Sequence, residues 1–128
     1  MLVWDGSKWS KGDITYSGKK KKCIVTFSDG SNIICSPIHK FLVRDSLGRE
    51  SFIECHKLRD INSELPDNIV TDSNSTLLIN SVEITDEYID MYDVCNTDGG
   101  YYVANGVITH NTAADIYKMA VVNMFQNL

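Results

Sequence analysis

No apolar run in the sequence is long enough to cross a bilayer. The longest, Leu77-Leu78-Ile79 and Met119 to Val122, fall far short of the roughly 20 residues that a spanning helix needs. No stretch near the start has the basic, apolar and small-residue order of a secretory signal. The expected address is therefore cytoplasmic, with no membrane partner. Cys-x-x-Cys knuckles are missing too, and without an export signal Cys23, Cys35, Cys55 and Cys95 read as reduced, buried thiols rather than a disulfide framework. The Lys19 to Lys22 run has no aromatic residue within it, so it predicts a solvated hairpin tip and not a nucleic-acid surface.

What is present fits one modest domain of 128 residues, 43% apolar and 23% charged. The net charge of −5 is unevenly spread. Residues 1–50 hold nine Lys/Arg against five Asp/Glu, and residues 51–111 hold two against eleven. Such polarity predicts salt-dependent steering of a charged partner.

Short strands and turns fill most of the chain. Cys23 to Phe27 and Asn32 to Cys35 are β-rich runs joined by Ser28-Asp29-Gly30-Ser31, a hairpin signal. Phe41-Leu42-Val43 and Ser51-Phe52-Ile53 flank a second turn, Asp45 to Gly48. Residues 56–65 allow one helical turn, and Pro66 to Asn74 reads as a loop. Thr76 to Ile84 and Ile89 to Asn96 alternate apolar with polar residues. Tyr101 to Ala104 and Val107 to Thr109 bracket the two-residue turn Asn105-Gly106. This spacing predicts an all-β fold with a curved or barrel-like sheet, in which Trp4, Trp9 and Phe41 are core or rim packing residues.

From Thr112 to Leu128 the pattern changes. Neither Gly nor Pro occurs there, and Tyr117, Val121, Met124, Phe125 and Leu128 recur at helical spacing, with Thr112 as a candidate N-cap. The break falls between Asn111 and Thr112. It is consistent with a β domain carrying a docking helix, or with two different proteins joined at that point.

His110-Asn111-Thr112 has chemistry suited to a junction. An asparagine side-chain amide can attack its own main-chain carbonyl, closing a succinimide and releasing the next residue. A well-oriented intramolecular attack gains roughly 7–11 kcal/mol. A neighbouring imidazole that protonates the departing amine adds about 10²–10⁴-fold. Thr112 offers a hydroxyl to receive an acyl group.

Tyr92-Asp93-Val94 followed by Tyr102 to Asn111 (YVANGVITHN) resembles the C-terminal splicing motifs of inteins. Upstream, Gly30 to His39 (GSNIICSPIH) resembles the intein motif with a Thr-x-x-His core, here Ser36-Pro37-Ile38-His39. The resemblance spans residues 1–111 and implies the horseshoe-like β fold of the Hint family. Thr112 to Ala120 (TAADIYKMA) resembles a helix of family A (DNA polymerase I-like) polymerases, so residues 112–128 would be a flanking C-extein. The opening Met1 to Gly6 resembles a strand already inside the family fold and lacks the first Cys or Ser of an intein. The implied assembly is the larger C-terminal part of an atypically split intein. Its partner is a complementary N-terminal fragment carrying that nucleophile and its N-extein. The interval between His39 and Met91 is too short for a homing endonuclease, so no nucleic-acid role is implied for the intein itself.

By resemblance, His39 polarises and protonates the upstream scissile amide, with Ser36 adding a hydroxyl hydrogen bond. Thr112 then attacks the resulting ester, Asn111 cyclises with help from His110, and Asp93 couples the steps. No cofactor or metal is implied. The sequence departs from the family by having Gly100 where a second histidine often stands, leaving the Asn111 amide to a water, Asp93 or Asp98. That substitution implies slower cyclisation. Three other readings remain: a related self-cleaving domain without ligation, a non-enzymatic β adaptor, and a zinc-binding β module drawing on Cys35, His39, Cys55 and His56. Against the last, adjacent Cys55 and His56 in a strand would face opposite ways.

Overall fold

The computed structural model describes residues 2–4, 9–95, 101–104, 106–110 and 116–117. Eleven strands lie among them: β1 (Leu2–Trp4), β2 (Trp9–Lys11), β3 (Asp13–Phe27), β4 (Asn32–Cys35), β5 (Lys40–Arg44), β6 (Glu50–Glu54), β7 (Asn68–Val70), β8 (Thr76–Cys95), β9 (Tyr101–Ala104), β10 (Val107–His110) and β11 (Ile116–Tyr117). A single 3₁₀ turn, Cys55–Lys57, follows β6, and no α-helix occurs among the described residues. The expected all-β class holds.

β3 and β8 form the spine, an antiparallel ladder running from Asp13↔Cys95 to Phe27↔Ile79. Register shifts interrupt it at Tyr16/Gly18, Lys21/Cys23 and Thr26/Phe27, and such bulges bend and twist a strand. Gly18 sits at the first with φ +99°, a conformation that side-chain-bearing residues resist. At the second, the Thr85 hydroxyl donates to the Lys22 carbonyl (2.9 Å) and accepts from the Glu87 N–H (3.2 Å).

The bends have a topological result. β4 pairs with β3 through Cys23↔Cys35, and β11 pairs with both β4 (Ile116↔Cys35) and β8 (Ile116↔Tyr92). Strands β4, β3, β8 and β11 therefore close a ring. An unbent strand would hold Tyr16 and Cys23 roughly 23 Å apart, so the bulges between them make the closure feasible. On the other side of the spine the sheet continues β8-β7-β5-β10-β9, with β6 also pairing β5. Phe27, Ile33, Phe41, Ile69 and Ile79 are among the buried side chains of one core cluster.

Several expectations hold at the turns. Asp29 accepts from Ser31 in the first hairpin, and Asp45 from the Leu47 and Arg49 N–H groups in the second. Val107 pairs with Ala104, leaving Asn105-Gly106 as the connection, with Gly106 at φ +83°. Other expectations are corrected. Lys19 to Lys22 are not a hairpin tip but lie within β3, where Lys19, Lys21 and Lys22 meet Asp90, Asp86 and Glu87. Part of the polarity read along the chain is thus laid against itself across the spine, and these exposed pairs are individually weak. The two alternating segments belong to one strand, β8, which continues through the bulge at Thr85 to Tyr88. The expected loop from Pro66 to Asn74 contains β7, whose Ile69 and Val70 are buried between β5 and β8. Phe41 lies in the core and Trp9 is part-exposed, as core and rim positions respectively allow, and the Trp4 side chain lies outside the described residues. Ile116 and Tyr117, expected in a helix, are extended, and the rest of the 112–128 segment lies outside the described residues.

Candidate active site

Ser36 and His39 are brought together by a β-turn. Pro37 presets the backbone at the second position of such a turn, and the His39 N–H donates to the Ser36 carbonyl (3.2 Å). Both side chains are buried, at 1% and 0% exposure. The following 3₁₀ turn straps this one in place: the Cys55 N–H donates to the His39 carbonyl (2.7 Å), and the His56 N–H to the Pro37 carbonyl (2.9 Å). The His39 ring stands edge-on to Phe41, centroids 4.9 Å apart at 79°. Packing therefore fixes the imidazole before any substrate arrives.

The C-terminal motif approaches the same place. Thr109, fully buried, pairs with Phe41 across β10 and β5, so His110 lies one residue beyond a rung shared with the strand that follows His39. His110 is paired on its other side with Tyr101. Asp93 is half-buried on β8 opposite Thr15. Its chain neighbour Tyr92 and Ser36's neighbour Cys35 both pair with Ile116. Asn111, Thr112, Asp98 and Gly100 lie outside the described residues, as does the His110 side chain. The described part thus unites Ser36 with His39, sets His110 beside their turn, and reaches Asp93 by way of β11.

The zinc set considered above is not assembled. His56 is turned outward and its Nε2 meets Glu54 (3.1 Å), while Cys55 is buried; the two stand in a 3₁₀ turn and not in the strand that was expected. Instead the thiols of Cys23, Cys35 and Cys55 converge, all within 4.8 Å of one another. All three are free and buried. Cys23 Sγ lies 2.8 Å from Cys55 Sγ. Hydrogen bonds from Cys35 and Cys55 pull the Cys23 thiol pKa down, while burial raises that of Cys35. Sequence reasoning missed this cluster. One signal was available, because a hairpin turning at Ser28 to Ser31 sets Cys23 opposite Cys35.

No protein-family model and no curated protein matches the sequence. Solved structures do. A DnaB intein from Synechocystis sp. PCC 6803 superposes with TM-score 0.67 at 21% identity, over 87% of this chain and 77% of that one. The gp41-1 intein gives TM-score 0.62 at 24% identity, over 86% and 79%. A consensus engineered intein with an atypical split site gives 0.59 at 21%, over 87% and 81%. The chain has the intein, or Hint, fold.

Proposed function

We propose that this chain carries out protein splicing in trans, as the larger C-terminal part of an atypically split intein. The first Cys or Ser is supplied by a complementary N-terminal fragment. The observation that carries the reading is the meeting of two motifs distant in sequence: the buried Ser36-His39 turn and the strand ending in His110, joined through the Thr109–Phe41 rung. The resemblance of the fold to an intein with an atypical split site supports the division into two pieces.

In the proposed sequence, the partner's nucleophile attacks the upstream carbonyl, the C–N bond breaks and a (thio)ester forms. His39 polarises the amide and protonates the departing nitrogen, and the Ser36 hydroxyl holds the carbonyl oxygen or the imidazole. The Thr112 hydroxyl attacks that ester, taking the acyl group and returning the thiol or hydroxyl to the partner. The Asn111 side-chain nitrogen then attacks its own carbonyl carbon. The bond to Thr112 breaks, His110 delivers a proton to the released amine, and Asn111 ends as a succinimide. The free Thr112 amine attacks its own ester, leaving an amide between the exteins. Asp93 couples branching to cyclisation. Residues 112–128 are the C-extein, in a host resembling a family A DNA polymerase.

An Asn111→Ala chain mixed with N-terminal intein fragments tests the order of events. It should accumulate a branched adduct cleaved by hydroxylamine, with the tail still attached. A full set of fragments giving no hydroxylamine-sensitive adduct would contradict the reading.

A further inference from the structure

Three thiols in a protein core with no disulfide among them call for a chemical account. Cys23 comes from β3, Cys35 from β4 and Cys55 from the 3₁₀ turn, each wholly excluded from solvent. Cys23 and Cys35 are a cross-strand pair with side chains on one face, and Cys55 is brought to them by the hydrogen bond from its N–H to His39. Their sulfurs lie within 4.8 Å of one another, and among the described residues no imidazole or carboxylate atom joins the group.

We infer that Cys23, Cys35 and Cys55 form a three-sulfur binding site for a soft monovalent cation, copper(I). The donor set is all sulfur, which selects soft metals. An ion bonded to three sulfurs at about 2.3 Å holds them roughly 4 Å apart, within the span the thiols occupy; the Cys23–Cys55 pair opens by roughly 1 Å to receive it. Zinc fits less well, because it takes four ligands in structural sites and this pocket offers three with no access for water. Binding is a proton exchange and not a redox step: metal–sulfur bonds replace S–H bonds, and the protons pass to solvent. Occupancy would pin β3, β4 and the 3₁₀ turn together from within. The inference does not depend on splicing and stands or falls separately from it.

The test uses the full chain, phosphine-reduced and metal-free, titrated anaerobically with copper(I) against a chromogenic copper(I) chelator. One ion should bind per chain, and X-ray absorption should show sulfur neighbours only. Cys35→Ser should weaken binding at least tenfold, while Cys95→Ser should leave it unchanged. The absorption spectrum of the wild-type protein decides the matter even if the Cys35 variant does not fold. Nitrogen or oxygen ligands in that spectrum would overturn the inference. So would equal weakening by Cys95→Ser, or failure of the reduced chain to compete with the chelator.

Discussion

His39 is held by its backbone at both ends of a turn and by the edge of Phe41, so its freedom to reorient is small. Two substitutions separate chemistry from support. If His39 is the acid proposed above, His39→Ala should slow the first acyl shift by about 10²–10⁴-fold, while release of the tail at Asn111 falls less. Phe41→Ala should instead destabilise the fold by about 3–5 kcal/mol, as deletion of a buried aromatic does, and should depress both cleavages together. Denaturant melting alongside single-site cleavage assays distinguishes the two. A parallel loss of both cleavages in a stably folded His39→Ala chain would contradict the assigned role. At Gly100, restoring a histidine should accelerate succinimide formation. An unchanged cyclisation rate would mean that another group already serves the Asn111 amide.

At the scale of the strand and turn, β10 is the element that delivers His110, and the β9–β10 connection sets its register. Gly106, at φ +83°, leaves the backbone where a side chain costs about 1–2 kcal/mol. Gly106→Val should therefore loosen the β9–β10 hairpin and slow tail release more than it slows the first acyl shift. The hairpins were legible in the sequence because their turn chemistry is local: Asp29, Asp45 and Gly106 announce themselves by type and spacing. β7 was not, because three residues carry no period and the strand exists only through its neighbours β5 and β8. The join through Thr85 to Tyr88 was hidden for a related reason. Polar residues at a bulge look like a turn until the partner strand is known, and here that partner carries the lysines. Ser36 and His39 could be read from their motif, but the three-thiol cluster depends on a cross-strand register and on a hydrogen bond from a 3₁₀ turn.

For the molecule as a whole, the ring of β4, β3, β8 and β11 and the sheet beyond it make a fold shared with inteins at low sequence identity. The fold class was readable from strand spacing, whereas ring closure was not, because it requires bends at bulges that sequence alternation does not reveal. Charge offers a whole-molecule test of assembly. Three lysines of β3 face acidic groups of β8, so association with the N-terminal fragment should depend only weakly on salt. A steep fall in association rate between low and physiological ionic strength would restore long-range steering as the dominant effect. The most direct test of splicing itself is intact-mass spectrometry over time on the wild-type chain with its N-terminal partner. The account predicts a ligated product whose C-terminal portion begins at Thr112, together with a fragment ending in a succinimide at residue 111. A fully assembled complex in which the bond between residues 111 and 112 stays whole would contradict it.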